Sequence, residues 1–173
     1  MKRINNLKMH FALLVAASML FVAAGQASAQ GQSAGKGKSK KDEKQLNKES
    51  KKLGNKAEEA ADQLGRDVVF CILAAHTTGV GTAQQLKDKF TALNDFPFGQ
   101  FVAAVQLADR LDSTDLTLDV ILAKMKDGMS IGQITKEADV NMGEVRRGFG
   151  EFRSELARSM TNPPTRNCFK SDS

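Results

Sequence analysis

The sequence predicts an all-α protein, a single small bundle of five or six short helices that follows a cleaved signal peptide and a flexible basic arm. Apolar residues recur at steps of three and four over most of the chain after Leu46, as on one face of a helix. Residues suited to cap helices precede several of these segments. Only one run, Val68 to Ala75, has the character of a buried strand, so a sheet would have no second strand.

The first 29 residues have the organisation of an export signal. The apolar run Phe11 to Ala24 is shorter than a membrane span of about 20 residues. It is followed by Ala27-Ser28-Ala29, small residues typical of a cleavage site. We therefore expect Sec-type export, cleavage after Ala29 and a periplasmic or secreted mature chain that begins at Gln30. The run is preceded by three cations: Lys2, Arg3 and Lys8.

Net charge is distributed unevenly along the chain. The full sequence has a formal charge of +5, which falls to +2 when the three cations of residues 1–29 are removed. Residues 30–56 contain nine lysines and three acidic residues, whereas residues 57–173 contain thirteen basic and seventeen acidic residues. The globular part is therefore predicted to be mildly acidic, with a net charge of −4.

Residues 30–41, QGQSAGKGKSKK, contain no large apolar side chain and are predicted to form a flexible cationic arm. Two interpretations of this arm remain open. It is either a solvated spacer behind the signal peptide or a segment that binds an anionic component of the cell envelope. In the second case we expect the contacts to come from four lysines, which are Lys36, Lys38, Lys40 and Lys41.

Residues 42–66 are predicted to form a weakly amphipathic helix that frays at Gly54, ahead of a helical domain over residues 67–160. The domain begins with the apolar run already noted, interpreted as a buried helix that ends at Gly79. A strand and glycine loop here would suggest a nucleotide site. However, Gln84 stands where the dinucleotide fingerprint needs its third glycine, and no Gly-Lys-Ser/Thr phosphate loop is present.

Three further helices are predicted before residue 130. Thr82 caps a short one, Pro97 lies in the first turn of a longer one, and Ser113 or Thr117 opens a third that stops at Gly128.

Residues 130–160 carry the clearest helix signals. Ser130 with Gln133, and Asn141 with Glu144, each match a reciprocal capping box, which predicts two helices joined by a tight corner. The second helix has one large apolar stripe that must be buried. Two glycines of this helix, Gly148 and Gly150, are interpreted as marking a close helix crossing or a bend.

The segment Ile134 to Val145 resembles the bacterial helix-turn-helix pattern, in which an Ile-Ala pair precedes a Gly-Val-Ser turn and a later Val locks the second helix. Here Thr135 replaces the alanine and Asp139 replaces the turn glycine. In that family the second helix enters the major groove of DNA. The resemblance therefore implies DNA binding as an alternative function if the chain is not exported. The residues near DNA would then be Asn141, Gly143, Arg146 and Arg147.

The chain also resembles uncharacterised exported bacterial proteins in its signal peptide, lysine-rich arm and short helices, a resemblance that implies no activity. A Gly-x-Ser-x-Gly stretch spans Gly128 to Gly132, which makes a hydrolase using Ser130 the second alternative. The stretch follows a predicted helix rather than the strand that a nucleophile elbow requires.

We predict no catalytic, cofactor or metal site. His76 is the only imidazole of the mature chain and is expected at a helix end, where it suits the helix dipole. Four aspartates cluster near a helix junction, but their spacing does not match a calcium loop, so capping and solvation are expected for Asp109, Asp112, Asp115 and Asp119. The predicted function is that of an exported, non-enzymatic interaction or structural protein of the envelope.

Cys71 and Cys168 are the only cysteines, and an oxidising compartment would let them pair in a single way. A bridge would fasten the tail, residues 161–173, over the most apolar helix. The alternative is an inert Cys71 beside a free thiol in the tail.

Overall fold

The computed structural model of the protein describes residues 33–111, 116–164 and 168–169. The all-α class and the helical bundle are confirmed, although these ranges hold seven helices rather than five or six, and no strand. None of the described helices is both long enough and apolar enough to cross a lipid bilayer. The helices are α1 (Ser33–Leu64), α2 (Arg66–His76), α3 (Ala83–Ala92), α4 (Phe98–Arg110), α5 (Leu118–Lys126), α6 (Ile131–Glu137) and α7 (Met142–Thr161).

The N-terminal helix differs most from its prediction. The flexible arm predicted for residues 30–41 is wrong for residues 33–41, which form the first turns of α1, while residues 30–32 lie outside the described ranges. Lysine is a good helix former, so a lysine-rich segment can extend a helix that is anchored further along the chain. Gly54 does not interrupt α1, which is 32 residues long and continues to Leu64. The anchor is a stripe of fully buried side chains: Leu46, Leu53, Ala57 and Ala60.

α1 is the central element of the bundle and not a helix outside it, because it packs against α2, α4, α6 and α7. Glycines allow two of these contacts to be very close. A Cβ on Gly99 of α4 would lie 2.5 Å from the carbonyl oxygen of Gly54, and a Cβ on Gly132 of α6 would lie 2.8 Å from that of Glu43. These close contacts let α4 and α6 cover one side of α1 although its buried stripe is narrow.

The glycines of α7 have different surroundings. A Cβ on Gly148 would lie 2.6 Å from Nε of Arg110, the last residue of α4, so this glycine makes room for a side chain and not for the backbone of a crossing helix. Among the described residues, no atom outside the neighbouring backbone of α7 lies within 4 Å of a Cβ built on Gly150, so the predicted close crossing is wrong there.

Phenylalanines form much of the core. Five of them are among the largest fully buried side chains, and Phe70 packs edge-on against Phe98 with ring centroids 5.4 Å apart. The guanidinium carbon of Arg66 lies 5.6 Å and 5.5 Å from the ring centroids of Phe90 and Phe98, so a cation closes one side of this cluster.

The capping box predicted at Ser130 forms, and Thr82, predicted as a simple cap, also forms a box with Gln85. The box predicted at Asn141 is wrong, because Asn141 caps α7 through the N–H of Gly143 and not with Glu144. The remaining boundaries are close to the predicted ones. α2 ends at His76, three residues before the predicted Gly79, and Pro97 immediately precedes α4. α5 begins after Thr117 and is followed by Gly128 at φ 86°, whereas Ser113 lies outside the described residues.

Gln106 of α4 is a polar side chain in the apolar core. It has 0% exposure, and neither its Oε1 nor its Nε2 hydrogen-bonds to another described group. We expect Gln106→Met to raise the free energy of unfolding by about 1 to 2 kcal/mol, because methionine keeps the shape and removes two unpaired polar atoms. Urea denaturation followed by far-UV circular dichroism measures the change.

The control for this substitution is Gln100→Met, at an exposed position of the same helix. It should alter stability by less than about 0.5 kcal/mol. If Gln106→Met instead destabilises the protein, the buried amide has a hydrogen-bonding partner and the interpretation is contradicted.

Candidate functional site

The outward face of α1 carries a row of lysines, which we call the lysine strip and define as six exposed residues: Lys40, Lys41, Lys44, Lys48, Lys51 and Lys52. Residues three and four apart share one face of a helix, so four of the six form a single line. With a rise of 1.5 Å per residue, this line is about 16 Å long. It lies on the side of α1 opposite the buried Leu46 and Leu53.

Two of the four lysines predicted to bind an anionic partner, Lys40 and Lys41, belong to the strip. Lys36 and Lys38 lie in the first turns of α1, but their side chains are outside the described part of the structure. The predicted contact did not include Lys44, Lys48 and Lys51 because it was limited to the cationic arm, which was predicted to end at residue 41. Their spacing of four and three residues places them on the same helix face as Lys40, and this would have indicated a row of lysines if the helix had been predicted to be continuous.

Most of the strip has no acidic partner. Within the described residues, Lys52 is its only member in an ion pair, with its Nζ 2.8 Å from Oε1 of Glu49. Glu49 also accepts a hydrogen bond from Nη1 of Arg153 at 2.8 Å, which connects α1 to α7. The hydrogen bonds from Lys52 and Arg153 hold the pKa of Glu49 below its ordinary value, so this carboxylate stays charged at neutral pH and partly neutralises Lys52.

The other acidic residues on the strip's half of α1 are turned away from the row. Asp42 and Glu43 are half-buried, and Glu43 lies 3.9 Å from Nζ of Lys136 on α6. The positive charges of Lys40, Lys44, Lys48 and Lys51 therefore face solvent without a compensating carboxylate within the described residues.

A groove of about 620 Å³ runs beside the strip, between α1, the start of α4 and the turn between α5 and α6. Lys51 is on its border. Asn47 accepts a hydrogen bond from the N–H of Gly132 at 2.7 Å, and Glu58 accepts one from the N–H of Gly99 at 2.8 Å. These polar groups of the groove hold α6 and α4 against α1.

Ser130, proposed from sequence as an alternative nucleophile, has a structural role. Its Oγ accepts hydrogen bonds from the N–H of Gln133 at 3.3 Å and from Nδ2 of Asn47 at 3.2 Å, and donates one to Oε1 of Gln133 at 2.9 Å. No histidine or carboxylate is among its partners within the described ranges. The Gly128 to Gly132 stretch follows α5, as predicted, and not a strand.

The segment that resembles a helix-turn-helix departs from the pattern at Thr135 and Asp139, and the structure accommodates both residues. Asp139 adopts a left-handed conformation with φ 53°, which a turn glycine would favour. Thr135 is fully buried and donates its hydroxyl to the carbonyl of Ile131 at 2.8 Å, so it satisfies its own polar group where the pattern has alanine. These features give α6 and α7 a tight connection.

The residues that this resemblance places near DNA are only partly available. The side chain of Asn141 accepts the capping hydrogen bond of α7, and Arg146 is half-buried. Arg147 is exposed, but Glu144 and Glu151 precede and follow it on the same face of α7. This face has mixed charge and offers little attraction for phosphates.

The predicted disulfide is confirmed. Cys71 and Cys168 are bonded, with Cα atoms 5.7 Å apart and a separation of 97 residues along the chain. The bridge holds the tail at α2, and the tail also contacts α3, where Nζ of Lys87 lies 5.0 Å from the ring centroid of Phe169. The alternative of a free tail thiol is therefore wrong for this structure.

A second cavity, of about 480 Å³, lies beside the bridge and brings His76, Glu155 and Ser159 together. His76 ends α2, as predicted, and its ring packs edge-on against Phe152 at 5.0 Å. Glu155 hydrogen-bonds with Arg158, and Nδ1 of His76 is buried without a hydrogen bond to a described group. Local sequence patterns carry no signal for this grouping, because α2 contributes His76 and the distant α7 contributes Glu155 and Ser159.

Of the four aspartates considered for calcium, two make separate contacts with other residues and two lie outside the described residues. Asp109 accepts a hydrogen bond from the N–H of Thr78 at 2.6 Å, and Asp119 forms an ion pair with Lys89. Asp112 and Asp115 are not among the described residues. In the described part of the chain, no group of three His, Cys, Asp or Glu side chains is placed to hold a metal ion.

No family model matches this sequence, and no curated protein or solved structure matches it either. The functional interpretation therefore depends on the charges and contacts described above.

Proposed function

We propose that this chain is an exported helical protein of the bacterial envelope, which acts by contact with another macromolecule and not by catalysis. The disulfide between Cys71 and Cys168 is the observation that carries this proposal. Disulfides form and persist in oxidising compartments such as the periplasm and are rare in the cytosol. The export pattern of residues 1–29, which are outside the described residues, supports the same location.

The proposed partner is an anionic component of the envelope, bound through Lys36, Lys38, Lys40 and Lys41. The support comes from Lys40 and Lys41, which are exposed and form no ion pair within the described residues. Exposed charges of this kind attract a polyanion over a distance of about 8 Å at physiological ionic strength, and salt weakens the attraction.

A non-enzymatic role is supported by what the candidate nucleophile does in the fold. The hydroxyl of Ser130 is engaged in capping α6 and in joining it to α1. A nucleophile needs a general base within hydrogen-bonding distance, and the hydrogen-bonding partners of Ser130 are an asparagine and a glutamine.

Export predicts the N-terminus of the natural protein. We expect mass spectrometry of protein recovered from its native cells to show Gln30 as the first residue, because the small residues at Ala27 and Ala29 suit signal peptidase. A double variant, Ala27→Phe with Ala29→Phe, should retain the signal and is the control. An intact chain from Met1 in the cytosol would contradict export.

DNA binding is the second candidate, and the left-handed turn at Asp139 is the observation that favours it. It is distinguished from the first by the residues involved. Binding of duplex DNA that is lost in Arg147→Gln and kept in variants of the lysine strip would favour a helix-turn-helix function.

A further inference from the structure

We infer that the lysine strip is a docking surface for a flexible linear polyanion, a polymer with negative charges repeated along its chain. This inference rests on the proposed function and identifies the class of its partner. It places the contact on α1 as far as Lys51 and Lys52, beyond the four lysines predicted from sequence.

The arrangement of the charges suits a polymer better than a small anion. Lys40, Lys44, Lys48 and Lys51 follow one another at steps of four, four and three residues, which places neighbours about 5 to 6 Å apart on one face of the helix. Their charges extend along about 16 Å of a convex surface and do not converge on a single point. A chain of repeated charges can lie along this row and pair with successive lysines.

The electrostatic contrast within the molecule favours binding at the strip. Residues 40–52 contain six lysines and three acidic residues, and two of those acids are paired with Lys52, Arg153 or Lys136. Residues 57–173 have a net charge of −4. A polyanion is therefore attracted to α1 and repelled, on average, by the rest of the surface.

The surface lacks what a bilayer would require. Peripheral helices bind membranes through an apolar face together with basic residues, but the apolar face of α1 is buried in the bundle. Val120, on α5, is the only exposed large apolar side chain among the described residues. α1 also contains no aromatic residue, so binding needs no stacking of bases and depends on charge alone.

The test uses end-labelled inorganic polyphosphate as the probe and the purified protein with the N-terminus it has in the cell. Fluorescence anisotropy is measured between about 50 and 200 mM salt. With four or five lysines engaged, the logarithm of the binding constant should fall with the logarithm of salt concentration with a slope of about −3, by analogy with single-stranded nucleic acids. The same titration is made with vesicles that contain phosphatidylglycerol.

Lys44→Gln, Lys48→Gln and Lys51→Gln together should weaken polyphosphate binding by about 10- to 100-fold near 0.1 M salt and reduce the slope by about 2. The matched control removes the same charge elsewhere, at Lys89, Lys124 and Lys126, and should change affinity less than about twofold. Replacement of Lys44, Lys48 and Lys51 by arginine should preserve binding. Circular dichroism verifies that each variant keeps its helix content.

An equal loss in the glutamine variant and its control would overturn the inference, because net charge and not the strip would then be responsible. Binding to vesicles without binding to polyphosphate would overturn the inference that the partner is a linear polyanion, and it would leave the proposed envelope function intact. If the protein binds neither polyphosphate nor the vesicles, the inference of a polyanion-binding surface is also overturned. Failure of the proposed function is recognised separately, by an uncleaved chain in the cytosol.

Discussion

Gly99→Ala will lower the free energy of unfolding by about 2 to 3 kcal/mol, although it adds a single methyl group. The added Cβ would lie 2.5 Å from the oxygen and 2.7 Å from two carbons of Gly54. All of these are backbone atoms inside α1, and none can rotate away as a flexible side chain would. The start of α4 must therefore move away from the central helix, and the contacts around Phe98 must loosen. Because the protein contains no Trp or Tyr, urea denaturation is best followed by far-UV circular dichroism.

Two other glycines serve as controls for this effect. Gly54→Ala should cost less, since its nearest neighbours, atoms of Gly99, would be 3.3 Å away. Gly150→Ala should stabilise the helix by about 0.5 to 1 kcal/mol, because in the described part of the chain no atom beyond the adjacent backbone of α7 lies within 4 Å of the new methyl group. If Gly99→Ala is as stable as the natural protein, α1 and α4 are not in contact at these residues.

The helices of residues 66–161 could be predicted because their signals are local. Thr82 was recognisable as a helix cap and Ser130 as the start of a capping box, and the apolar stripe of α7 has a clear period. The central position of α1 could not be predicted in this way. Two of the four residues in its buried stripe are alanines, and Gly54 lies against Gly99 of α4; such small residues appear weakly apolar in sequence but allow other helices to approach closely.

The candidate site was predictable only in part for a related reason. A high lysine content indicated an anionic partner for Lys40 and Lys41, but charge alone does not show whether a segment is flexible or helical. Lys44, Lys48 and Lys51 join them only when the buried side of α1 is known, because that side determines which residues face solvent. The pairing of Cys71 with Cys168 could be predicted because two cysteines allow only one intramolecular disulfide.

Loss of the disulfide will lower the free energy of unfolding by about 2 to 5 kcal/mol. The bond closes a loop between residues 97 positions apart, so it removes many conformations from the unfolded chain. Urea denaturation with and without reductant measures the difference. Cys168→Ser is the matched variant, because Cys168 is exposed and its replacement removes the bond with little change in packing. It should be as stable as the reduced natural protein and insensitive to reductant.

The dependence on urea provides an independent test of where the bond acts. If the bond restricts the unfolded ensemble, the oxidised unfolded chain is more compact and exposes less surface, so reduction should increase the slope of free energy against urea concentration. Cys168→Ser should have the steeper slope in both conditions. Equal slopes and equal stabilities for the oxidised and reduced protein would contradict a stabilising role for the bond. A stability loss with an unchanged slope would instead place its effect in the folded state, at the contact of the tail with α2 and α3.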